Sequence, residues 1–186
     1  LLTTPLTADD WPEWRGQGRL GIWNESGIIE RFPPQGLKVT WRTQVRAGFA
    51  GPAVANGRVF VLDYQETLGS RTMDGTERLL CLNEDSGEIL WTYEWPTTYR
   101  NILGSFATGP RATPTVAGDQ VFVMGAGGIL LALNTTTGTV AWQVDTVAYY
   151  DATQPDNGTS SAPLDTGNLD QAMDGGQPDA LHEAFN

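Results

Sequence analysis

Residues 132–142 read ALNTTTGTVAW, and residues 81–91 read CLNEDSGEILW. Both carry Leu-Asn, three polar residues, a Gly and, four positions further on, a Trp. The matched positions are Leu82, Asn83, Gly87 and Trp91 in one copy and Leu133, Asn134, Gly138 and Trp142 in the other. The two Trp are 51 residues apart, so the chain repeats a structural unit.

The match extends upstream. Pro52–Leu62 (PAVANGRVFVL) aligns with Pro114–Met124 (PTVAGDQVFVM), here at an offset of 62. The first copy is therefore eleven residues longer between its strands. The polar stretch YQETLGSRTMDGTER (64–78) supplies them and reads as an inserted loop with no part in the sheet. Trp41, in KVTWRTQV, stands 50 residues before Trp91 and marks the end of an earlier unit.

Each unit decodes into four strands. In the second, Thr113–Ala117 is a short first strand, and Gly118-Asp119 is a two-residue turn of the kind that tolerates positive φ. Gln120–Gly125 is rich in β-formers, Gly127-Gly128 reverses the chain, and Ile129–Asn134 is the third strand. Thr135–Gly138 then forms a hairpin loop whose Gly can turn left-handed, before a fourth strand, Thr139–Asp145, that carries Trp142. Four antiparallel strands every fifty residues or so are the pattern of a β-propeller blade. The Leu-Asn-x3-Gly-x3-Trp phrase is the hairpin between outer strands, and its Trp is a large apolar plate that fills the wedge between blades, worth about 2–3 kcal/mol by buried area.

The expected organisation is an N-terminal arm over 1–40, a first repeat over 41–91 with its loop at 64–78, a second over 92–146, and a degenerate third repeat or acidic tail over 147–186. In that last stretch Ala162-Pro163-Leu164 stands where Thr113-Pro114-Thr115 stood, 49 residues earlier, but Asn168, Asp170 and Asp174 occupy strand positions. Two repeats and parts of others do not close a ring, so the chain reads as an N-terminal fragment of a longer propeller or an open arc completed by partners.

Composition agrees with an all-β chain. Seven Trp and 22 Gly beside 18% charged residues suit short strands and tight turns. The net charge of −11 is uneven, because all eleven basic residues lie at or before Arg111 and residues 112–186 hold nine acids with no Lys or Arg. Nucleic acid and anionic membrane surfaces both need a basic face, and are not expected partners. The single cysteine, Cys81, lies between two leucines and reads as a small core residue. No apolar run is long enough to span a bilayer as a helix. The first residue, Leu1, fits a product whose targeting segment has been removed.

The repeated phrases Cys81–Trp91 and Ala132–Trp142 resemble the pyrroloquinoline-quinone-type (PQQ-like) propeller repeat, which runs roughly Ala-x-Asp-x-x-Thr-Gly-x-x-x-Trp. Asn replaces Asp in both copies and keeps a turn-forming side chain. The opening DWPEWRGQGRLG (10–21) looks like the start of BamB-like secreted members of this group. The resemblance covers about residues 10–146 and implies a partial β-propeller. Such repeats occur in quinone-dependent dehydrogenases and in non-catalytic scaffolds, so fold alone does not fix function.

Candidate chemistry is sparse. Quinone-dependent enzymes of this type present a vicinal cysteine pair over the cofactor, and this chain has one Cys. Gly125-x-Gly127-Gly128 after a strand lacks the full dinucleotide fingerprint and reads as a turn. Asp165, Asp170, Asp174 and Asp179 match no calcium loop, and His182, the only histidine, has no Ser or Cys motif around it. Trp11, Trp14 and Trp23 precede the repeats and either pack across the propeller edge or dock a partner. The expectation is a non-enzymatic, periplasmic or secreted scaffold that binds protein partners or the missing blades, with no catalytic, cofactor or metal residues. Any membrane association runs through other subunits of a complex. The alternative is a fragment of a quinone-dependent alcohol or sugar dehydrogenase.

Overall fold

A computed structural model of the chain describes residues 9–71, 73–100, 102 and 108–164. Asp165, Asp170, Asp174, Asp179, His182 and most of the expected third unit lie outside these residues.

Two four-stranded antiparallel sheets follow each other in sequence. The first contains β1 (Ala53–Ala55), β2 (Arg58–Glu66), β3 (Asp74–Asn83) and β4 (Ile89–Thr98), hydrogen-bonded in that order. The second contains β5 (Thr115–Ala117), β6 (Gln120–Met124), β7 (Ile129–Asn134) and β8 (Val140–Asp145), also in sequence order. A single turn of helix, α1 (Thr146–Tyr149), follows β8 and is capped by the Asp145 carboxylate, which accepts from the Ala148 N–H at 3.0 Å.

The registers repeat as well as the order. Cys81 pairs with Trp91, and Ala132 with Trp142; in both sheets the register shifts at the next residue, so that Leu82 pairs with Ile89 and Leu133 with Val140. The Gly after each polar triplet is left-handed, at φ 69° for Gly87 and 71° for Gly138, which a side chain would strain. The Asn before the triplet fixes the turn. Asn83 Oδ1 accepts from the Asp85 and Ser86 N–H groups, and Asn134 Oδ1 from those of Thr136 and Thr137, all at 2.9–3.0 Å.

Strand alternation sends one row of residues between the sheets and the other to the far side. Phe60, Leu62, Leu79 and Cys81 from the first sheet meet Val121, Val123, Leu131 and Leu133 from the second in the largest core. Phe122, Met124, Leu130 and Ala132 form a second buried cluster with Trp142 on the other face of the second sheet. Val59, Leu80 and Leu82 on the far face of the first sheet are covered by Trp41.

One expectation is overturned. Residues 64–78 are not a protruding loop: Tyr64, Gln65 and Glu66 pair with Glu77, Thr76 and Gly75, and the eleven extra residues mostly lengthen the β2–β3 hairpin. β2 ends at Glu66 and β3 begins at Asp74, and between them Leu68 is fully exposed. The polar composition had suggested a loop, but Tyr64 and Glu77 are buried at 2% and 0% exposure because the extension folds against the second sheet.

Candidate functional site

The features that set this chain's interactions are its junctions between units. Trp91 closes the first sheet, and its indole N–H donates to the Thr135 carbonyl of the second at 3.1 Å. Its ring lies against Gly138, where an added Cβ would come within 2.7 Å. Trp41 repeats this contact one unit earlier, donating to the Glu84 carbonyl at 2.8 Å while its ring packs on Gly87. The Gly in each hairpin therefore has two duties, a left-handed turn and a seat for the preceding indole. Trp142 occupies the same place in the second sheet, but its Nε1 is buried without an acceptor. Trp41, Trp91 and Trp142 are each half-buried rather than largely enclosed.

The longer first hairpin adds a second junction. Glu77 Oε1 accepts from the Tyr99 hydroxyl at 2.6 Å and from the Ala126 N–H of the β6–β7 turn at 3.0 Å; Oε2 accepts from Trp95 Nε1 at 3.0 Å. Gly125 is needed beside it, because a side chain there would collide with the carboxylate. Burial raises the Glu77 pKa, against the lowering effect of its three donors and of the Arg111 charge. Burial and the nearby carboxylates also push the Tyr64 phenol up to about 12, and Tyr99 is raised by the same causes. Tyr64, Tyr99, Ile102 and Ala126 pack together over this carboxylate.

On the far face of the first sheet, Asp63 is 1% exposed and takes both Nε and Nη2 of Arg78, at 3.0 and 2.6 Å. This bond raises the Arg78 pKa. Asp63 also accepts the Arg46 N–H at 2.8 Å, and Arg46 reaches Glu94 at 2.9 Å, so the segment ahead of β1 is tied to β2 and β4. An open groove of about 540 Å³ lies here, between Gln44–Ala47 and the ends of β2 and β3. Among the described residues no group of three or more His, Cys, Asp or Glu could hold a metal ion. Cys81 is buried, and burial pushes its thiol up to about 11.

The N-terminal aromatics divide. Trp11 exchanges backbone hydrogen bonds with Val54 of β1 at 2.8 and 2.9 Å, and Pro12 accepts from Val116 of β5, so the arm crosses the first strands of both sheets. Trp14 and Trp23 are half exposed, with Arg15 over the Trp14 ring and Trp23 Nε1 donating to Glu25 at 2.7 Å. Beyond Arg19 the arm leaves a series of apolar side chains in solvent, Phe32 among them at 73%. Sequence reasoning found the Trp and Gly positions but not Glu77. Its signal was present in the alternation that places Leu79, Glu77 and Trp95 on one face.

A family model described as outer membrane protein assembly factor BamB matches residues 25–177. The chain belongs to this family. Similar solved structures include quinohemoprotein alcohol dehydrogenase from Comamonas testosteroni, at 19% identity over 85% of this chain and 22% of that one, with a TM-score of 0.54. They also include quinohemoprotein alcohol dehydrogenase ADHIIG from Pseudomonas putida HK5, at 25% identity over 59% of this chain and 15% of that one, with a TM-score of 0.41. BamB from Moraxella catarrhalis matches at 20% identity over 56% and 36%, with a TM-score of 0.27. The chain thus spans between 15% and 36% of the length of these three structures. No curated protein matches it. The Comamonas likeness is one of fold: both are built from β-propeller blades of the PQQ type.

Proposed function

We propose that this chain is a non-enzymatic, extracytoplasmic propeller-repeat scaffold that binds protein partners within a larger assembly. The observation that carries the reading is the arm over residues 20–45. Leu20, Ile22, Phe32, Leu37 and Val39 are all more than half exposed, more than the apolar residues that β4 leaves in solvent, Ile89 and Leu90 at 45%. Apolar side chains gathered on one segment and left in solvent favour a protein contact. The family description, an outer membrane protein assembly factor, supports the same role and an extracytoplasmic location. Among the described residues no helix is long and apolar enough to cross a membrane.

The buried acids support the reading from the other side. Glu77 and Asp63 spend their lone pairs on Tyr99, Trp95, Ala126, Arg78 and Arg46, holding strands and arm together. The test is a titration of the purified chain with pyrroloquinoline quinone and calcium, followed by Trp fluorescence and dye-linked alcohol oxidation. A scaffold shows neither saturable quenching nor turnover. Stoichiometric quinone binding would instead make the chain part of a dehydrogenase.

A further inference from the structure

Five of the seven residues from Arg15 to Gly21 are left-handed, at φ between 57° and 73°, and two of them, Arg15 and Arg19, are not glycine. Backbone of this kind is disfavoured under a side chain, so the contacts that the folded loop makes must hold it. Glu13 supplies them at Arg19. Its carboxylate accepts from the Gly18 N–H and from Arg19 Nε, both at 2.9 Å, and the pair is mostly shielded from solvent. The turn aims the rest of the guanidinium at the stretch after α1, where Nη2 donates to the Ala162 and Pro163 carbonyls at 3.2 and 2.5 Å. The Pro163 carbonyl also accepts from the buried Thr115 hydroxyl of β5 at 2.6 Å.

We infer that residues 11–19 are a strap, closed by Arg19, that ties the first strands of both sheets to residues 160–164 and opens from them as one piece. One end of the strap holds the sheets: Trp11 exchanges two backbone hydrogen bonds with Val54 of β1, and the Pro12 carbonyl accepts from the Val116 N–H of β5. The other end is Arg19, from which both hydrogen bonds between the arm and 160–164 come, among the described residues. The two ends are joined inside the strap, because the Trp11 ring lies against Gly16 while Glu13 grips Gly18 and Arg19. What attaches it to the rest is polar and sparse. No residue of the strap belongs to a buried apolar cluster, and a cavity of about 280 Å³ separates Trp14 and Arg19 from Ser160 and Ser161. Segments held by few bonds and little packing open below the cost of global unfolding, so the strap can leave while both sheets stay folded. Open, it uncovers the edge of β1 at Val54 and the Val116 N–H together with the Ala162–Pro163 carbonyls.

The experiment is native-state hydrogen exchange of the 186-residue chain, read at the Val54 and Val116 amides, which donate to the strap, with maleimide labelling of Ala162→Cys as the reporter at its far end. Cys81 is buried and gives the slow background. Two substitutions open the clasp in different ways. Arg19→Lys keeps the charge but not the planar fork, and Arg19→Gly removes the side chain while relieving the left-handed backbone. Both are expected to speed the two amides and the labelling together by about tenfold, with the β2–β3 ladder amides unchanged. Faster labelling at position 162 with Val54 and Val116 unchanged would overturn the proposal, since the strap would not move as one piece. No change in either variant, or slower readouts in Arg19→Gly than in the parent, would overturn it by showing that the guanidinium does not close the strap. Equal acceleration of the β2–β3 amides would do the same, because Arg19 would then support the whole fold.

Discussion

Trp91 of the first sheet donates its indole N–H to the Thr135 carbonyl of the second, and its ring rests on Gly138, three residues further along the same hairpin. Turn and docking surface are thus one element, which is why the polar triplet, the Gly and the Trp recur together. If the contact is energetic as well as geometric, Trp91→Phe loses a hydrogen bond between sheets and costs about 0.5–1.5 kcal/mol beyond the change in area. Trp142→Phe removes an N–H that has no acceptor and is expected to be neutral or stabilising. Urea unfolding of the two variants checks the difference; equal costs would mean that the Trp91 bond contributes nothing.

Glu77 gives a pH dependence of defined sign. Its folded pKa is raised, mainly by burial, so its contribution to stability is fully present below the unfolded value of about 4.3 and is lost as pH rises through the folded value. Glu77→Gln cannot titrate, and it turns an amide donor toward one of the three donors that the carboxylate satisfies. The variant is expected to be less stable by about 1.5–3 kcal/mol near neutral pH, with the gap to the parent widening as pH falls toward 4. A gap that narrows would place the folded pKa below the ordinary glutamate value.

The extended hairpin separates into dispensable and indispensable parts. Leu68→Ser at the fully exposed tip is expected to change stability by less than about 0.5 kcal/mol. Removing the paired residues 64–66 and 75–77 together preserves strand pairing but deletes Tyr64 and Glu77, and with them the contacts to Ala126. That shortened chain is expected to melt well below the parent. Equal melting temperatures would show that the extension is ornamental.

Cys81 reports on the opening of the junction. It lies at 0% exposure in the core between the sheets, and its thiol is pushed up to about 11. Alkylation by a soluble maleimide at neutral pH is expected to be slow in the native chain and to accelerate in parallel with unfolding in urea. Rapid labelling of a chain that is still folded by circular dichroism would mean that the two sheets separate freely.

Much of this was legible in the sequence, and the parts that were not share a cause. The strands of the second unit were placed within two residues because Gly118, Gly128, Gly138 and Trp142 punctuate them by backbone conformation and bulk, which are local properties. The β2–β3 extension was misread because Gln65, Glu66, Asp74 and Thr76 are polar and none of them is buried. The buried row, Tyr64, Glu77 and Trp95, becomes a core only once the second sheet supplies Ala126. Trp41 announced the end of a unit, but only the structure showed it docked on Gly87 as Trp91 is on Gly138.

The most direct measurement is a double-mutant cycle on the Trp–Gly seat. Gly138→Ala forces a side chain into a left-handed backbone and also against the Trp91 ring; Gly118→Ala, at φ 59° with nothing within 4 Å, carries only the backbone cost of about 1 kcal/mol. In a Trp91→Leu background the collision is relieved, so Gly138→Ala is expected to fall to the cost of Gly118→Ala, leaving a coupling energy of about 0.5–3 kcal/mol between positions 91 and 138. Strict additivity of the two substitutions would contradict the docking of one repeat upon the next.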